Sequence, residues 1–397
     1  MNNERMNHRL VASALAVFAG VALQIALAQH VNVTSGTYLR LTPGTVMMLD
    51  SLDIQDVATG VLESGSEVHV SSALVNGGTL TCNTGSTVNF LAGSQSLTGT
   101  TAFANLTKSG GGTLTLNSPA TVNGTLQLSS GQINAFSNDL TIGTAGSVNG
   151  TSSANYIVTN GTGSLRRTVG ATNVLFPVGP TGASYNPSTI NNAGTSDVFS
   201  VRVQTTFDNP PADTNGVVRR QWTIAEDVAG GSNATLVLQW NAADEGSGFI
   251  RTNPFSIGRH TGTQWDPTPA VFADLGGNVF TSSAGGFNNF SAFAVGSDVA
   301  LPVQGEQEVP LTFALDQNYP NPFNPTTIIS FEIPKRTRTT LMVYNMLGQQ
   351  VATLVDEERE AGAYRVEWNA GSVASGVYLY RITTSESVLT RKMLVVK

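Results

Sequence analysis

The chain has 397 residues, of which 40% are hydrophobic and 12% are charged, and its formal net charge is -7. Gly, Ser, Thr and Asn replace the missing charged residues, a composition that favours short strands and tight turns over helical bundles. Residues 29–312 hold 9 Lys and Arg against 18 Asp and Glu, which argues against a nucleic-acid partner. Because Cys82 is the only cysteine, an intramolecular disulfide is excluded.

The N-terminus has the three parts of a secretory signal. Two arginines precede an apolar run from Leu10 to Leu27, and Ala26 and Ala28 fit the small-x-small cleavage rule. We expect cleavage before Gln29, which removes residues 1–28. The alternative is an uncleaved membrane anchor. No later segment is apolar enough to cross a bilayer, so we expect a mature chain without a transmembrane segment.

Residues 29–155 contain short pieces in which Leu alternates with Thr or Gln. Examples are GGTLTCN (77–83), GGTLTLN (111–117) and NGTLQLSS (123–130). This alternation is typical of a strand with one buried face. Many short strands with Gly-rich corners and little charge predict a parallel β-solenoid, in which each turn covers its neighbour. An irregular β-sandwich or a low-complexity stalk is the alternative.

Residues 156–298 have more aromatic residues and longer strand candidates. In ATLVLQWN (234–241), Leu236, Leu238 and Trp240 fall on one face. Six or more such strands predict a β-sandwich, with DPTP (266–269) in a loop. A FPVG strand, an arginine-tryptophan strand and a closing FSAFAVG strand resemble a module of large exported proteins of the Bacteroidetes group.

Two prolines among Gln and Glu residues make 299–312 a predicted linker. The segment NYPNPFNP follows at 318–325. Its three prolines stiffen an extended segment, and its asparagines are suited to local side-chain turns. We expect both aromatic residues to anchor the segment on a sandwich face. The motif residues are Tyr319, Pro320, Asn321, Pro322, Phe323, Asn324 and Pro325.

The rest of the chain predicts six or seven strands, which fits a small immunoglobulin-like sandwich. Three further motifs follow in order: LMVYNMLGQQVATL, ASGVYLYRI and a basic RKMLVVK ending. The residues singled out in them are Tyr344, Gly348, Gly376, Tyr378 and Lys392. All four motifs, in this order behind a signal peptide, strongly resemble the C-terminal sorting domain (type A-like) of type IX secretion system substrates. The resemblance covers residues 313–397.

The resemblance implies a route and partners. The signal peptide leads to the periplasm, and the outer-membrane translocon then recognises the folded C-terminal domain. In the family, a sortase-like protease often removes this domain, and the body becomes attached to surface lipopolysaccharide. Arg391, Lys392 and Lys397 are candidate contacts by position; the alternative is an edge strand protected by charge. The motifs also resemble a flagellar hook-capping domain, but such a protein has neither a cleavable signal peptide nor a Gly-rich body.

The body offers no recognisable catalytic motif and implies no cofactor. His30, His69 and His260 are too far apart in sequence for a zinc-hydrolase motif. Cys82 lies in a Leu/Thr strand without a neighbouring His, so we interpret it as a small buried filler rather than a nucleophile. We therefore expect no catalytic, cofactor or metal site.

Several carboxylates are candidates for acting on glycans, because a glycosidase needs two carboxyls across a cleft. The carboxylates are Asp50, Asp53 and Asp56 in LDSLDIQD, and Asp244-Glu245 in NAADEG. Turn chemistry is the simpler explanation for Asp244-Glu245. Trp222 and Trp265 have the rings for sugar stacking, but tryptophan in a sandwich is more often core. The pairs Arg166-Arg167 and Arg219-Arg220 are most simply solvated or ion-paired.

The sequence thus predicts an exported all-β protein whose body is a structural or adhesive element at the cell surface. The alternative is a secreted carbohydrate-active protein, either a lyase-like β-helix or a glycan-binding sandwich. The two hypotheses differ in what the body presents to solvent. An enzyme would place the aspartates of LDSLDIQD beside Arg40 or Lys108 in one groove. A stalk would present Thr, Ser and Asn on every outer face.

Overall fold

The computed structural model describes residues 25–251, 255–297, 300–301 and 312–396, with side chains from residue 30 onward. It confirms the predicted all-β class, with 57% of residues in strands and 1% in helix. The chain forms two compact units, residues 1–303 and 304–397.

The first part of the body is a β-solenoid of about seven turns, as predicted. Its strands are β1 (Ile25–Val33), β2 (Tyr38–Leu41), β3 (Val46–Ile54), β4 (Thr59–Leu62), β5 (Glu67–Asn76), β6 (Thr79–Cys82), β7 (Thr87–Phe90), β8 (Gln95–Thr98), β9 (Thr101–Phe103), β10 (Asn105–Lys108), β11 (Thr113–Leu116), β12 (Ala120–Val122), β13 (Thr125–Leu128), β14 (Gln132–Asn134), β15 (Leu140–Ile142), β16 (Ser147–Asn149), β17 (Ile157–Val158), β18 (Leu165–Val169) and β20 (Val178–Gly179). The intervening β19 (Val174–Phe176) instead pairs antiparallel with residues 188–190 of the next region.

The solenoid changes its cross-section at β5. The long strands β1, β3 and β5 pair in parallel. The first half of β5 then pairs with β7 and its second half with β8. After β5, each turn therefore contributes two strands to this sheet, one to the row β7, β10, β13 and β16 and one to the row β8, β11, β14 and β17. The parallel strands β9, β12, β15 and β18 form a third face of the solenoid. A turn takes about twenty residues, the usual size of a solenoid repeat.

Stacking of equivalent residues builds the solenoid core. One inward-facing column contains Val68, Val88 and Leu106, which pair in register from turn to turn and are almost fully buried. Each turn covers the apolar residues of the next, so medium-sized side chains suffice for a continuous interior. The Leu/Thr alternation noted in the sequence therefore places Leu inward and Thr outward.

The sheets continue from the solenoid into an antiparallel region. Its elements are β21 (Ser188–Asn192), β22 (Asp197–Gln204), β23 (Gln221–Glu226), β24 (Ala234–Asn241), a 3-10 helix η1 (Ala242–Asp244), β25 (Phe255–His260), β26 (Trp265–Gly276), β27 (Val279–Phe287) and β28 (Ala292–Ser297). β18 pairs in parallel with β15 and antiparallel with β22, so one 13-stranded sheet spans both regions. One hydrophobic cluster likewise includes residues of both. Neither the sheet nor the core is interrupted near residue 155.

The prediction of a loop at DPTP (266–269) is wrong, because these residues lie within β26. Residues Trp265–Ala270 of this strand pair with β25, and residues from Val271 onward pair with β27. The other edge of residues 265–270 is therefore not paired with β27, and such an edge tolerates prolines, which lack a backbone N–H.

The described residues of the second unit, 312–396, form seven strands in two sheets. They are β29 (Ala314–Leu315), β30 (Thr326–Ile333), β31 (Thr337–Asn345), β32 (Gln350–Arg359), β33 (Gly362–Asn369), β34 (Gly376–Thr383) and β35 (Val388–Val395). The sheet orders are β29-β30-β33 and β32-β31-β34-β35. Inward-facing residues of both sheets, such as Phe331 and Tyr380, form one core. This arrangement is a small β-sandwich.

Two predicted segments fall largely outside the described residues. These are residues 1–24 of the signal peptide and residues 302–311 of the linker. The predicted cleavage residues Ala26, Ala28 and Gln29 belong to β1, but their side chains are not described. Within the described ranges, no helix has the length and apolar character needed to span a membrane.

Candidate functional site

The aspartates of LDSLDIQD do not form a cleft with basic residues. Asp50 and Asp56 are exposed and Asp53 is partly buried, on β3 and the corner that follows it. Arg40 is instead paired with Glu63, which directly follows the neighbouring strand β4. Across the described ranges, no group of three or more His, Cys, Asp and Glu residues is arranged to hold a metal ion.

Lys108 is a structural residue inside the solenoid. It occupies the inward-facing column between Phe90 and Leu128 and is fully buried. Its Nζ donates hydrogen bonds to the carbonyl oxygens of Ala92 (3.2 Å), Ser109 (2.9 Å) and Gly111. Burial lowers the pKa of the Lys108 ammonium. The lysine thus satisfies carbonyls at the corners of two turns and faces none of the three aspartates.

The buried Asp244 forms an ion pair with the partly buried Arg220 in the antiparallel region. Asn186 donates an amide hydrogen bond to Asp244 Oδ2 (2.7 Å), and Arg220 Nε donates to Asn186 Oδ1 (3.1 Å). The backbone N–H of Asn241 also donates to Asp244 Oδ2, at 3.0 Å. This network ties β23 to the loop before β21 and to η1. Asp244 is therefore more than a turn residue, and its partners indicate a structural role.

Glu245 is also engaged in protein contacts. Trp240 Nε1 donates to Glu245 Oε1 (2.9 Å), and Arg251 donates to both carboxylate oxygens. The guanidinium of Arg251 lies 4.1 Å from the ring centre of Phe280. The pair Asp244-Glu245 is thus divided between two separate structural contacts, and the two carboxylates do not converge on one cleft.

The tryptophans are core residues. Trp222 and Trp265, the two rings considered for sugar stacking, are at most 2% exposed. Their indole N–H groups donate to the backbone carbonyls of Asn186 and Asn209, both at 3.0 Å. Cys82 is partly buried, and this burial raises the pKa of its thiol to about 12. Neither the sugar-stacking hypothesis nor a reactive thiol is supported by these positions.

The remaining titratable candidates have local partners. His30 contacts Ser51, His69 lies 2.9 Å from Glu67, and His260 is buried against Trp265. Burial lowers the pKa of His260. Arg166 forms ion pairs with Asp227 and Asp139, consistent with the expected ion-paired role. The three histidines lie on separate elements and do not form one site.

The proline-rich motif connects the two sheets of the C-terminal sandwich. Tyr319 and Ile328 of β30 exchange two backbone hydrogen bonds of 3.0 Å. Farther along, Phe323 donates its N–H to Leu394 (3.1 Å) and accepts one from Val396 (3.0 Å). The segment therefore crosses from the three-stranded sheet to the edge strand β35, and it closes that side of the sandwich.

The two aromatic residues of the motif have opposite roles. Phe323 is buried in the core, with its ring centre 5.7 Å from that of Trp368. Tyr319 is 81% exposed, so the expectation that it anchors the segment is wrong; its contacts to β30 come from its backbone. The buried Asn318 provides a second anchor, since its side chain donates to Pro320 O (3.1 Å) and Thr327 Oγ1 (2.9 Å).

The other motif residues form the adjoining strands and turn. Gly348 has a φ of +79° in the turn between β31 and β32, a conformation that favours glycine. Tyr378 packs against Trp368, and its hydroxyl donates to Ala374 O (2.9 Å). Tyr344 contacts the Arg381 guanidinium, while Lys392 is exposed.

These motifs, far apart in sequence, meet at one end of the sandwich. The proline-rich segment contacts the end of β35, and Val377 at the start of β34 pairs with Leu394 of β35. The end of β31 pairs with Tyr378, so the turn that follows lies at the same end. The exposed apolar residues here were not singled out from the sequence, although Val377 and Leu394 fall on the outward phase of their strands. They are Met346, Leu347, Val377, Leu394 and Val396, which are 37% to 84% exposed.

Comparison with protein families agrees with this geometry. Residues 317–397 match the family described as "Secretion system C-terminal sorting domain". Searches of the curated proteins and of the solved structures gave no match. The C-terminal sandwich is thus a sorting domain of the type that directs proteins through a secretion system.

The chain is a substrate of the type IX secretion system. Its sorting domain directs it to the cell surface or the extracellular space and implies an interaction with the type IX machinery. The match covers about a fifth of the chain, so it defines the route of the protein and leaves the body to be interpreted from its own residues.

Proposed function

We propose that the body is a non-enzymatic structural or adhesive element displayed at the cell surface. The observation that carries this proposal is the chemistry of the solenoid surface. One outward-facing column runs through Asn89, Thr107, Gln127 and Asn149, which pair in register on β7, β10, β13 and β16. It is polar and uncharged over four successive turns.

A second outward column supports the same proposal. Ser96, Thr115 and Asn134 pair in register on β8, β11 and β14. Neutral polar side chains keep such a face soluble without the charge repulsion that would build up in a stack of like charges. They also provide hydrogen-bond donors and acceptors for neutral partners such as glycans or other polar surfaces.

The positions of the charged groups favour this proposal over a glycosidase or lyase. Lys108 and Asp244 are buried in structural contacts, the partly buried Arg220 is paired with Asp244, and Arg40 is paired with Glu63. A glycosidase needs two carboxyls facing each other across a substrate cleft. The secreted carbohydrate-active alternative would require such a pair elsewhere in the body.

The test compares cells that produce the chain with cells that lack it. We expect deletion to reduce attachment to polysaccharide-coated or cell-coated surfaces, and the complete chain to restore it. The same secreted protein is incubated with a polysaccharide panel and assayed for new reducing ends and unsaturated uronates. Catalytic turnover would contradict the proposal and favour the enzyme alternative.

A glycan-binding body is a second candidate, favoured by the Asn/Thr/Gln column. We expect Gln127→Leu together with Asn149→Leu to weaken retention on a neutral glycan matrix. The matched control is Thr121→Val together with Thr141→Val, which pair in register on the separate face formed by β12 and β15. Equal retention of all variants would remove glycan binding by this column from consideration.

We also propose that export is followed by processing. A sortase-like protease would cut in the linker, and surface lipopolysaccharide would be the acceptor. Intact mass analysis of the native protein tests this directly: we expect a chain that begins at Gln29 and ends within 299–315. An extracellular chain that still ends at Lys397 would contradict removal of the sorting domain.

A further inference from the structure

The two ends of the sorting domain differ sharply in chemistry. One end holds the start of β31, the end of β32 and the turn between β34 and β35. All ion pairs in the described part of this domain lie there. They are Lys335–Glu386, Arg336–Glu358, Arg336–Glu360, Arg338–Asp356 and Arg359–Glu357.

The opposite end is apolar, and its residues form what we call the apolar end. It consists of Met346, Leu347, Val377, Leu394 and Val396. None of the five belongs to the core cluster of the domain. Val377 and Leu394 are direct cross-strand neighbours on the outer face of the four-stranded sheet. The fold therefore gains little from these residues, and clustered apolar exposure of this kind usually marks a contact surface.

On the outer face of β34 and β35, the charged side chains nearest the apolar end have one sign. Along the same outer face, the next charged side chain on β34 is Arg381 and the next on β35 is Lys392. Both are exposed and basic. Leu379, which pairs with Lys392 and with Tyr344, lies between Arg381 and the apolar end and is partly buried, whereas Lys392 is the outward residue next to Leu394. A partner that fits this surface is apolar at its centre and carries acidic groups toward β34 and β35.

We propose that the apolar end is the surface by which the sorting domain docks onto the secretion machinery. The occupant is an apolar, acid-rimmed surface of that machinery. Two observations support this choice over a second copy of the chain. The four sorting motifs converge at this end, whereas the opposite end is covered by ion pairs. In addition, a symmetric dimer through this end would bring the basic Arg381 and Lys392 of one copy close to the same residues of the other copy, and the resulting charge repulsion disfavours self-association.

The experiment uses the full chain in a bacterium that carries the type IX system. Leu347→Asp and Val377→Asp place a charge within the apolar end, and Val388→Asp is the matched control. Val388 is an exposed apolar residue of β35 at the ion-paired end. Protease-accessible protein at the cell surface and in the medium is compared with protein retained in the periplasm.

We expect both apolar-end variants to lower the exported fraction about tenfold, as for loss of a central contact residue, and Val388→Asp to be exported normally. Export of Leu347→Asp at the normal level would overturn the proposal, as would an equal loss in Val388→Asp. Leu347 is the most exposed of the five side chains. Its variant should therefore fold, which is checked by the thermal unfolding of the retained chain.

A photo-crosslinker gives a readout that does not depend on export. Introduced at position 347, it should capture an outer-membrane component, and at position 388 it should not. Capture of a second copy of the chain at position 347, or equal capture at both positions, would contradict the proposal.

Discussion

The solenoid and the sorting domain place their apolar residues differently. In the solenoid, Leu and Val face inward on successive turns, while Thr, Asn and Gln line the outward columns. In the sorting domain, a core is also filled, yet five apolar residues remain exposed together at one end. From β7 to β16 the solenoid surface is uniform along its outward column, and the sorting-domain surface is polarised.

This difference indicates that the two units interact with their surroundings in different ways. A uniform polar column has no single position that stands out, so its function depends on extent and on weak repeated contacts. A polarised small domain has a distinct contact surface suited to recognition by one partner. The two units are therefore expected to respond differently to single substitutions.

The largest expected effect tests whether Asp244 is structural. Asp244→Ala leaves the largely buried Arg220 guanidinium without its carboxylate, which typically costs about 3–5 kcal/mol. Denaturant unfolding of the full chain measures the loss. Adding Arg220→Met should recover much of it, because the uncompensated charge is removed. No recovery in the double variant would contradict a purely structural ion pair.

A comparable effect is expected from Phe323→Ala, but confined to the sorting domain. Loss of a buried Phe side chain costs about 3–5 kcal/mol, whereas Tyr319→Ala should change stability by about 0.5 kcal/mol or less because its ring is exposed. Hydrogen exchange of the full chain is the measurement. Faster exchange in residues 313–397 with an unchanged solenoid is expected; a change spread over both units would break the comparison.

The third prediction concerns pH and Lys108. The pKa of Lys108 in the folded state is lowered from the ordinary 10.5. Between this lowered pKa and 10.5, Lys108 therefore holds its proton more often in the unfolded state than in the folded state. Stability should therefore increase with pH through the window just below 10.5. Lys108→Met keeps the volume without the charge and should lack this increase. Denaturant unfolding measures the free energy of unfolding of both proteins as a function of pH. The same pH dependence in both would contradict the prediction.

The smallest effect concerns a solenoid corner. Val57 has a φ of +63°, a left-handed conformation that is strained for a β-branched residue, and its side chain is exposed. Val57→Gly relieves the strain while adding backbone freedom to the unfolded chain, for a net gain of about 0.5–1 kcal/mol. Thermal unfolding measures it, with Val61→Gly, within β4, as a control that should destabilise.

Several structural features could be predicted from particular residues. The alternation in TLTL and TLQL gave the inward and outward faces of the solenoid, because side chains on a strand alternate strictly. ATLVLQWN is strand β24 over its whole length, with Leu236, Leu238 and Trp240 buried as expected. The burial of Lys108 could not be predicted, because no sequence pattern marks a lysine that lies inside an apolar column.

The candidate site shows the same limit. Tyr319 and Phe323 looked equivalent in sequence, but only one ring enters the core. Which side of a short irregular segment faces inward depends on the hydrogen bonds that it makes to β30 and β35. Those partners are distant in the chain, so local pattern alone does not identify them.

The sequence by itself determined the all-β class, the solenoid and the type IX sorting domain, because strand alternation and the ordered motifs are local properties. Only the tertiary structure brought the four motifs to one end of the sandwich and left Met346, Leu347, Val377, Leu394 and Val396 exposed there. It also paired Arg220 with the buried Asp244. The reason is physical: burial and contact depend on the packing of segments that are remote in sequence.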